Sequence, residues 1–168
     1  MKPFGARGQR VLKIIHLITA SLWVGGAVTL LLTGLWLGPA ESGPELFGYD
    51  LARKFVDDLI VIPGAMGCLF SGLLISWLTP WGFFRHPWVA VKWILTIACI
   101  LFGTFYLGPI INTQPLTSRE LGLAATHDPL YIQRHFSNAL GGGIQVLVII
   151  FMVAVSVLKP WKKKTGAG

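Results

Sequence analysis

The stretch KIIHLITASLWVGGAV, residues 13–28, decides how this chain is read. It holds one histidine among isoleucines, leucines and valines, and the apolar run around it extends from Val11 to about Leu37. A helix needs about 20 apolar residues to cross the hydrocarbon of a bilayer. The run exceeds the roughly 7–15 residues of a signal-peptide core and has no clear small-residue cleavage site after it, so it reads as a retained span. Three more stretches qualify: about Leu59 to Leu78, about Trp88 to Ile111, and about Ser137 to Leu158. The expectation is an all-α, integral membrane four-helix bundle, one domain over residues 1–168.

Composition agrees. Of the 168 residues 54% are hydrophobic and 12% charged, with a mean hydropathy of +0.66. A soluble domain carries about 25% charged residues. The net charge of +7 does not point to nucleic acid, because the basic residues gather at the ends of spans and form no separate basic face. Cys68 and Cys99 both sit inside apolar runs and do not read as a disulfide framework.

The charges are segregated. Lys2, Arg7, Arg10 and Lys13 precede the first span; Arg85 and Lys92 flank the turn between the second and third; Lys159, Lys162, Lys163 and Lys164 follow the fourth. These are ten of the 14 basic residues, and all seven acids fall on the opposite side. The positive-inside rule then puts both termini in the cytoplasm. Trp81, Trp88 and Trp161 fall at the same interface. The connection at 79–87 is short, whereas 38–58 and 112–136 read as long outer loops. Within the first of these, DLARKFVDDL, residues 50–59, has the spacing of an amphipathic surface helix.

Polar and small side chains in a span normally face the bundle interior. His16, Ala20, Trp23 and Ala27 make such a stripe on span one; Lys92, Thr96, Cys99 and Gly103 on span three; Asn138, Gly142, Gln145 and Met152 on span four. At about 1.5 Å per residue, His16 and Lys92 lie roughly 8 and 6 Å inside their spans, with Met152 at a similar level.

Ionisable residues inside a membrane are functional candidates by default. His16 has two readings: a histidine hydrogen-bonded to Thr19 or to a neighbouring helix, or an axial ligand of heme iron. In the second reading Trp23 stacks on the macrocycle and Gly25 and Gly26 leave room for it; in the first the glycine pair serves helix packing. Lys92 either snorkels to the interface or faces inward, where it pairs with a propionate, ligates iron or transfers protons. Met152 and His86 are further candidate ligands, against the plainer readings of packing and loop residue. His127 and His135 are candidates for a second metal site near the acidic side. Met66, Cys68, Cys99 and Met152 are the interior sulfurs that a copper-handling protein would use, without an M-x-x-M motif. Hydrolase and dinucleotide motifs are absent from the sequence.

The lysine-x-x-histidine opening (Lys13, His16) with its W-x-G-G (Trp23 to Gly26), together with HPWVAVKWILTIACILFGTFY at residues 86–106, resembles small bacterial membrane proteins. These are the HemJ-type protoporphyrinogen oxidases, the CopD-type copper-resistance membrane domains and related integral membrane proteins. The HemJ type binds heme in a four-helix protein with an essential first-helix histidine and third-helix lysine. That resemblance implies the same roles for His16 and Lys92. The long acidic outer segments depart from the HemJ pattern, while Gly25–Gly26 and the ending VLKPW are closer to the CopD-like group. The resemblance thus implies heme binding ahead of any particular reaction. The expectation is a b-type heme protein of the bacterial inner membrane, working in electron transfer to quinone or another redox partner or in porphyrin oxidation. A homo-oligomer is compatible with it. A copper or small-molecule transporter and a non-catalytic membrane subunit are the alternatives.

Overall fold

The computed structural model describes residues 5–36, 40–79 and 82–159. Lys2, Trp81, Trp161 and Lys162 to Lys164 lie outside the described residues. The described residues contain helices and no strand. They form four rods. The first is α1, Ala6–Trp36. The second joins α2, Gly43–Val56, through a π-helical turn at Asp57–Val61 to α3, Ile62–Leu78. The third joins α4, Pro87–Phe102, through a π-helical turn at Gly103–Leu107 to α5, Gly108–Leu121, and ends in a 3-10 turn at Gly122–His127. The fourth is α6, Pro129–Leu158. All four are long and apolar enough to cross a membrane, and the chain is a multi-pass membrane protein.

Local chemistry starts each helix. Ser42 caps α2 by accepting from Glu45 N–H at 3.3 Å, while Glu45 accepts from Glu41 N–H at 2.7 Å. Asp128 caps α6 by accepting from Tyr131 N–H at 2.7 Å, with Pro129 preorganising the first turn. Pro87 does the same for α4.

The two π turns share a cause. Pro63 and Pro109 each lie two residues beyond one of them. A proline has no N–H and its ring crowds the carbonyl four residues back, which breaks a regular α-helix. Here Ile62 N–H donates to Asp57 O and Gly108 N–H to Gly103 O, each five residues back. The widened turn takes up the misfit, and both rods continue past their prolines.

This corrects the expected long outer loops. Residues 43–78 and 87–127 are continuous helical rods of 36 and 41 residues. At about 1.5 Å per residue the longer one is roughly 60 Å, about twice the hydrocarbon thickness. The expected surface helix at 50–59 is corrected too: Asp50, Arg53 and Asp57 are buried.

α1 and α3 approach closely because glycines line the seam. A Cβ on Gly64 would lie 2.7 Å from Trp23 N, one on Gly67 2.5 Å from Thr19 Cγ2, and one on Gly26 2.8 Å from Val61 Cγ2. Small residues let membrane helices gain dispersion contact that lipid does not supply. The core around the seam contains Trp23, Ala27, Val61, Ala65, Cys99, Val146, Ile149 and Met152. Outward, Ile14, Leu17, Ile94, Phe105, Ile144 and Leu147 expose large apolar side chains, as a lipid-facing surface does.

Candidate functional site

Two open cavities in the bundle have Trp23, 2% exposed, in the wall of both. One lies toward the basic end, the other toward the acidic end.

The basic-end cavity measures about 380 Å³. His16, Lys92, Met152 and Trp23 all line it, and Lys13 and Lys159 join Lys92 as its basic residues. His16 Nδ1 lies 2.8 Å from Ser71 Oγ on α3. Ser71 lies 2.6 Å from Gly67 O, to which its hydroxyl donates. A hydroxyl has one proton to give, so Ser71 Oγ accepts from His16 Nδ1–H. In the neutral imidazole this leaves the lone pair on Nε2. No hydrogen bond among the described residues engages Nε2. Gly72 makes room for this ring, since a Cβ there would come 3.5 Å from His16 Cε1. Cys68 Sγ is 3.9 Å from His16 Nδ1.

Opposite, Thr96 donates to Met152 Sδ at 3.5 Å. Trp93 lines the cavity with its Nε1–H donated to Ser76 Oγ at 3.1 Å and its ring 5.5 Å from Phe83. Lys92 is half-buried and makes no hydrogen bond or ion pair among the described residues.

Other expected residues fall elsewhere. Gly25 faces open space and Gly26 packs on Ile60 and Val61; neither lines the cavity, so helix packing rather than cofactor room accounts for Gly26. His86 sits at the N-terminus of α4, its ring stacked 6.2 Å from Trp88, and does not line the cavity. His127 is exposed in the 3-10 turn. His135 donates from Nε2 to Gly34 O at 3.0 Å and stacks on Tyr131. Among the described residues no three His, Cys, Asp or Glu side chains group as a metal site.

The acidic end carries a network that sequence reading missed. Arg53, 4% exposed, donates from Nη1 to Gln114 Oε1 at 3.2 Å and from Nη2 to Asn138 Oδ1 at 2.8 Å. Asp50 Oδ1 lies 4.0 Å from Arg53 Nη1, and Asp50 Oδ2 accepts from Tyr131 O–H at 2.8 Å. These bonds tie α2, α5 and α6 together. Gly34 leaves the space the guanidinium occupies, since a Cβ there would lie 3.3 Å from Nη2. Beside the network lies the second cavity, about 330 Å³, lined by Asp57, Asn112, Asn138 and Gln145 among apolar side chains. The available signal was the spacing of Asp50, Arg53 and Asp57, which puts all three on one helical face.

Comparison of the chain with protein-family models, with curated proteins and with solved structures finds no match.

Proposed function

We propose that the basic-end cavity holds a b-type heme with His16 as an axial ligand, in a redox protein of a bacterial inner membrane. The observation that carries this reading is the state of His16: Nδ1 is committed to Ser71 and Nε2 faces no partner, in a residue lining a cavity of about 380 Å³. Metal-ligating histidines almost always donate their other ring nitrogen to such a partner, which sets tautomer and ring orientation.

The donor set fits the group. A neutral imidazole is a good iron ligand. Trp23 and Trp93 supply aromatic walls, and Lys13, Lys92 and Lys159 supply cations for two propionates. Met152 Sδ lines the same cavity, held toward Thr96, as the candidate second ligand. The positive-inside rule assigns this basic end to the cytoplasm.

A bound heme supplies one-electron chemistry, passed to a quinone or protein partner or drawn from a porphyrin substrate. The chain's own residues orient, exclude water and move protons. Ser71 holds the imidazole. Lys92, without an ion-pair partner, is the proton-handling group of the cavity. Trp23 closes the cavity from the acidic half.

The test is the absorption spectrum of the purified protein. A Soret band that shifts on reduction, and that His16→Ala removes, supports the reading. A colourless protein from heme-replete cells overturns it. Stoichiometric copper by elemental analysis in such a colourless sample supports the metal-handling alternative, for which Cys68 and Met152 line the same cavity as His16.

A further inference from the structure

The acidic-end cavity plays no part in the heme reading, yet it holds a buried carboxyl group with no hydrogen-bond or ion-pair partner among the described residues. Asp57 is 8% exposed and lines the cavity. Its neighbours are already balanced. Arg53 faces Asp50 at 4.0 Å, and Lys54 is committed to Asp58 at 2.5 Å and to Asn112 Oδ1 at 2.6 Å. The Asp57 carboxylate makes no hydrogen bond or ion pair among the described residues. A carboxylate taken out of water with no partner is costly, so an ionised Asp57 calls for a cation beside it.

Two amides extend the site. Gln145, 7% exposed, lines the cavity with Oε1 buried and unpartnered. Asn138, 5% exposed, also lines it. Arg53 takes the Asn138 oxygen and leaves its Nδ2 donor buried and unpartnered. Buried polar atoms are normally satisfied, and three unmet groups around one cavity point to a ligand. Both π turns border the same space: Asp57 and Val61 from one, Gly103, Thr104 and Leu107 from the other. Such turns recur at functional sites.

The ligand's chemistry follows. A bare metal ion is disfavoured, because hard cations take about six or more oxygens and the cavity offers one carboxylate in about 330 Å³ of mainly apolar wall. A primary ammonium donates to both Asp57 and Gln145 Oε1. An apolar body fits Leu30, Leu107 and the indole of Trp23. An oxygen on that body accepts from Asn138 Nδ2. We infer that the acidic-end cavity binds a small amphipathic primary ammonium bearing an oxygen acceptor, with Asp57 as its counter-ion.

The probe is tyramine, with tyrosol as the neutral counterpart in which a hydroxyl replaces the ammonium. Binding to the detergent-solubilised full chain is measured by calorimetry against a micelle blank. Tyramine binds the wild-type chain at least tenfold tighter than tyrosol. Asp57→Asn removes that preference, Gln145→Leu weakens tyramine several-fold, and Glu120→Gln, an exposed charge change away from the cavity, leaves it unaltered. Absence of tyramine binding, equal affinity for tyrosol, or a folded D57N chain that binds tyramine like wild type overturns the inference. Should D57N give no monodisperse protein, the wild-type amine-to-alcohol ratio and the Gln145→Leu result decide it. Because the readout does not involve heme, either site can fail without the other.

Discussion

At the scale of single residues, Ser71 and Arg53 carry the most. Ser71 decides which nitrogen of His16 is free, by passing its one proton to Gly67 O. Removing such a supporting partner typically costs about 10–100-fold in metal affinity. Ser71→Ala therefore lowers heme affinity by about tenfold or more, measured by titrating heme into the apoprotein, while His16→Ala removes the site altogether. Arg53 donates to the side-chain oxygens of Gln114 and Asn138 and faces Asp50 at once. Arg53→Met leaves Asp50 buried without its cation, and breaking a buried pair costs about 3–5 kcal/mol. The expected result is a large fall in the thermal midpoint in detergent. Asp50→Asn combined with Arg53→Met recovers part of it, because the stranded charge is gone. His16 and Lys92 were visible in the sequence as ionisable residues in apolar runs. Ser71 is one small polar residue in the apolar run 59–78, and a hydrogen bond across 55 positions leaves no local trace.

At the scale of elements, glycines and prolines set the helices' spacing and register. A Cβ on Gly64 meets backbone of α1 at 2.7 Å, which cannot rotate away. Gly64→Ala is expected to push α1 from α3 and cost about 1–3 kcal/mol, as overpacking does. Gly25 has open space around it. Gly25→Ala is expected to be neutral or to stabilise by about 0.5–1 kcal/mol, from the helix preference of alanine. Paired melting curves check the contrast, and equal effects at the two positions would sink the packing account. The sequence presents Gly25 and Gly26 as equivalent neighbours, and only the position of α3 separates them. The sequence places Pro63 and Pro109 inside the second and third spans, but the continuation of those rods through residues 43–58 and 112–127 was hidden. The polar composition of those segments reads as loop, and the π turns that carry each rod past its proline depend on both flanks being held by neighbouring helices.

At the scale of the whole molecule, the polarity of the bundle is layered. One end of the interior is basic, the other carries buried acids, and Trp23 lies in the wall between them. Trp23→Ala removes the largest fully buried side chain and joins the cavities. The expected cost is about 3–5 kcal/mol, read as a lowered thermal midpoint. Trp23→Phe, which keeps a ring in place, is expected to restore most of it.

Hydrophobic length and charge segregation are summed over many residues, so the sequence by itself determined the four spans, the all-helical class and the grouping of basic and acidic residues on opposite ends. Those quantities survive any error in packing. The partner of His16, the burial of Asp50, Arg53 and Asp57, and the separation of two cavities were decided only by tertiary structure. Each depends on which helix faces which and at what rotation, and a turn of about 100° per residue carries a side chain from lipid to interior. The DLARKFVDDL segment shows the difference: its charges suited water by composition, yet Gln114, Asn138 and Tyr131 from distant helices supply hydrogen bonds that let Asp50 and Arg53 be buried.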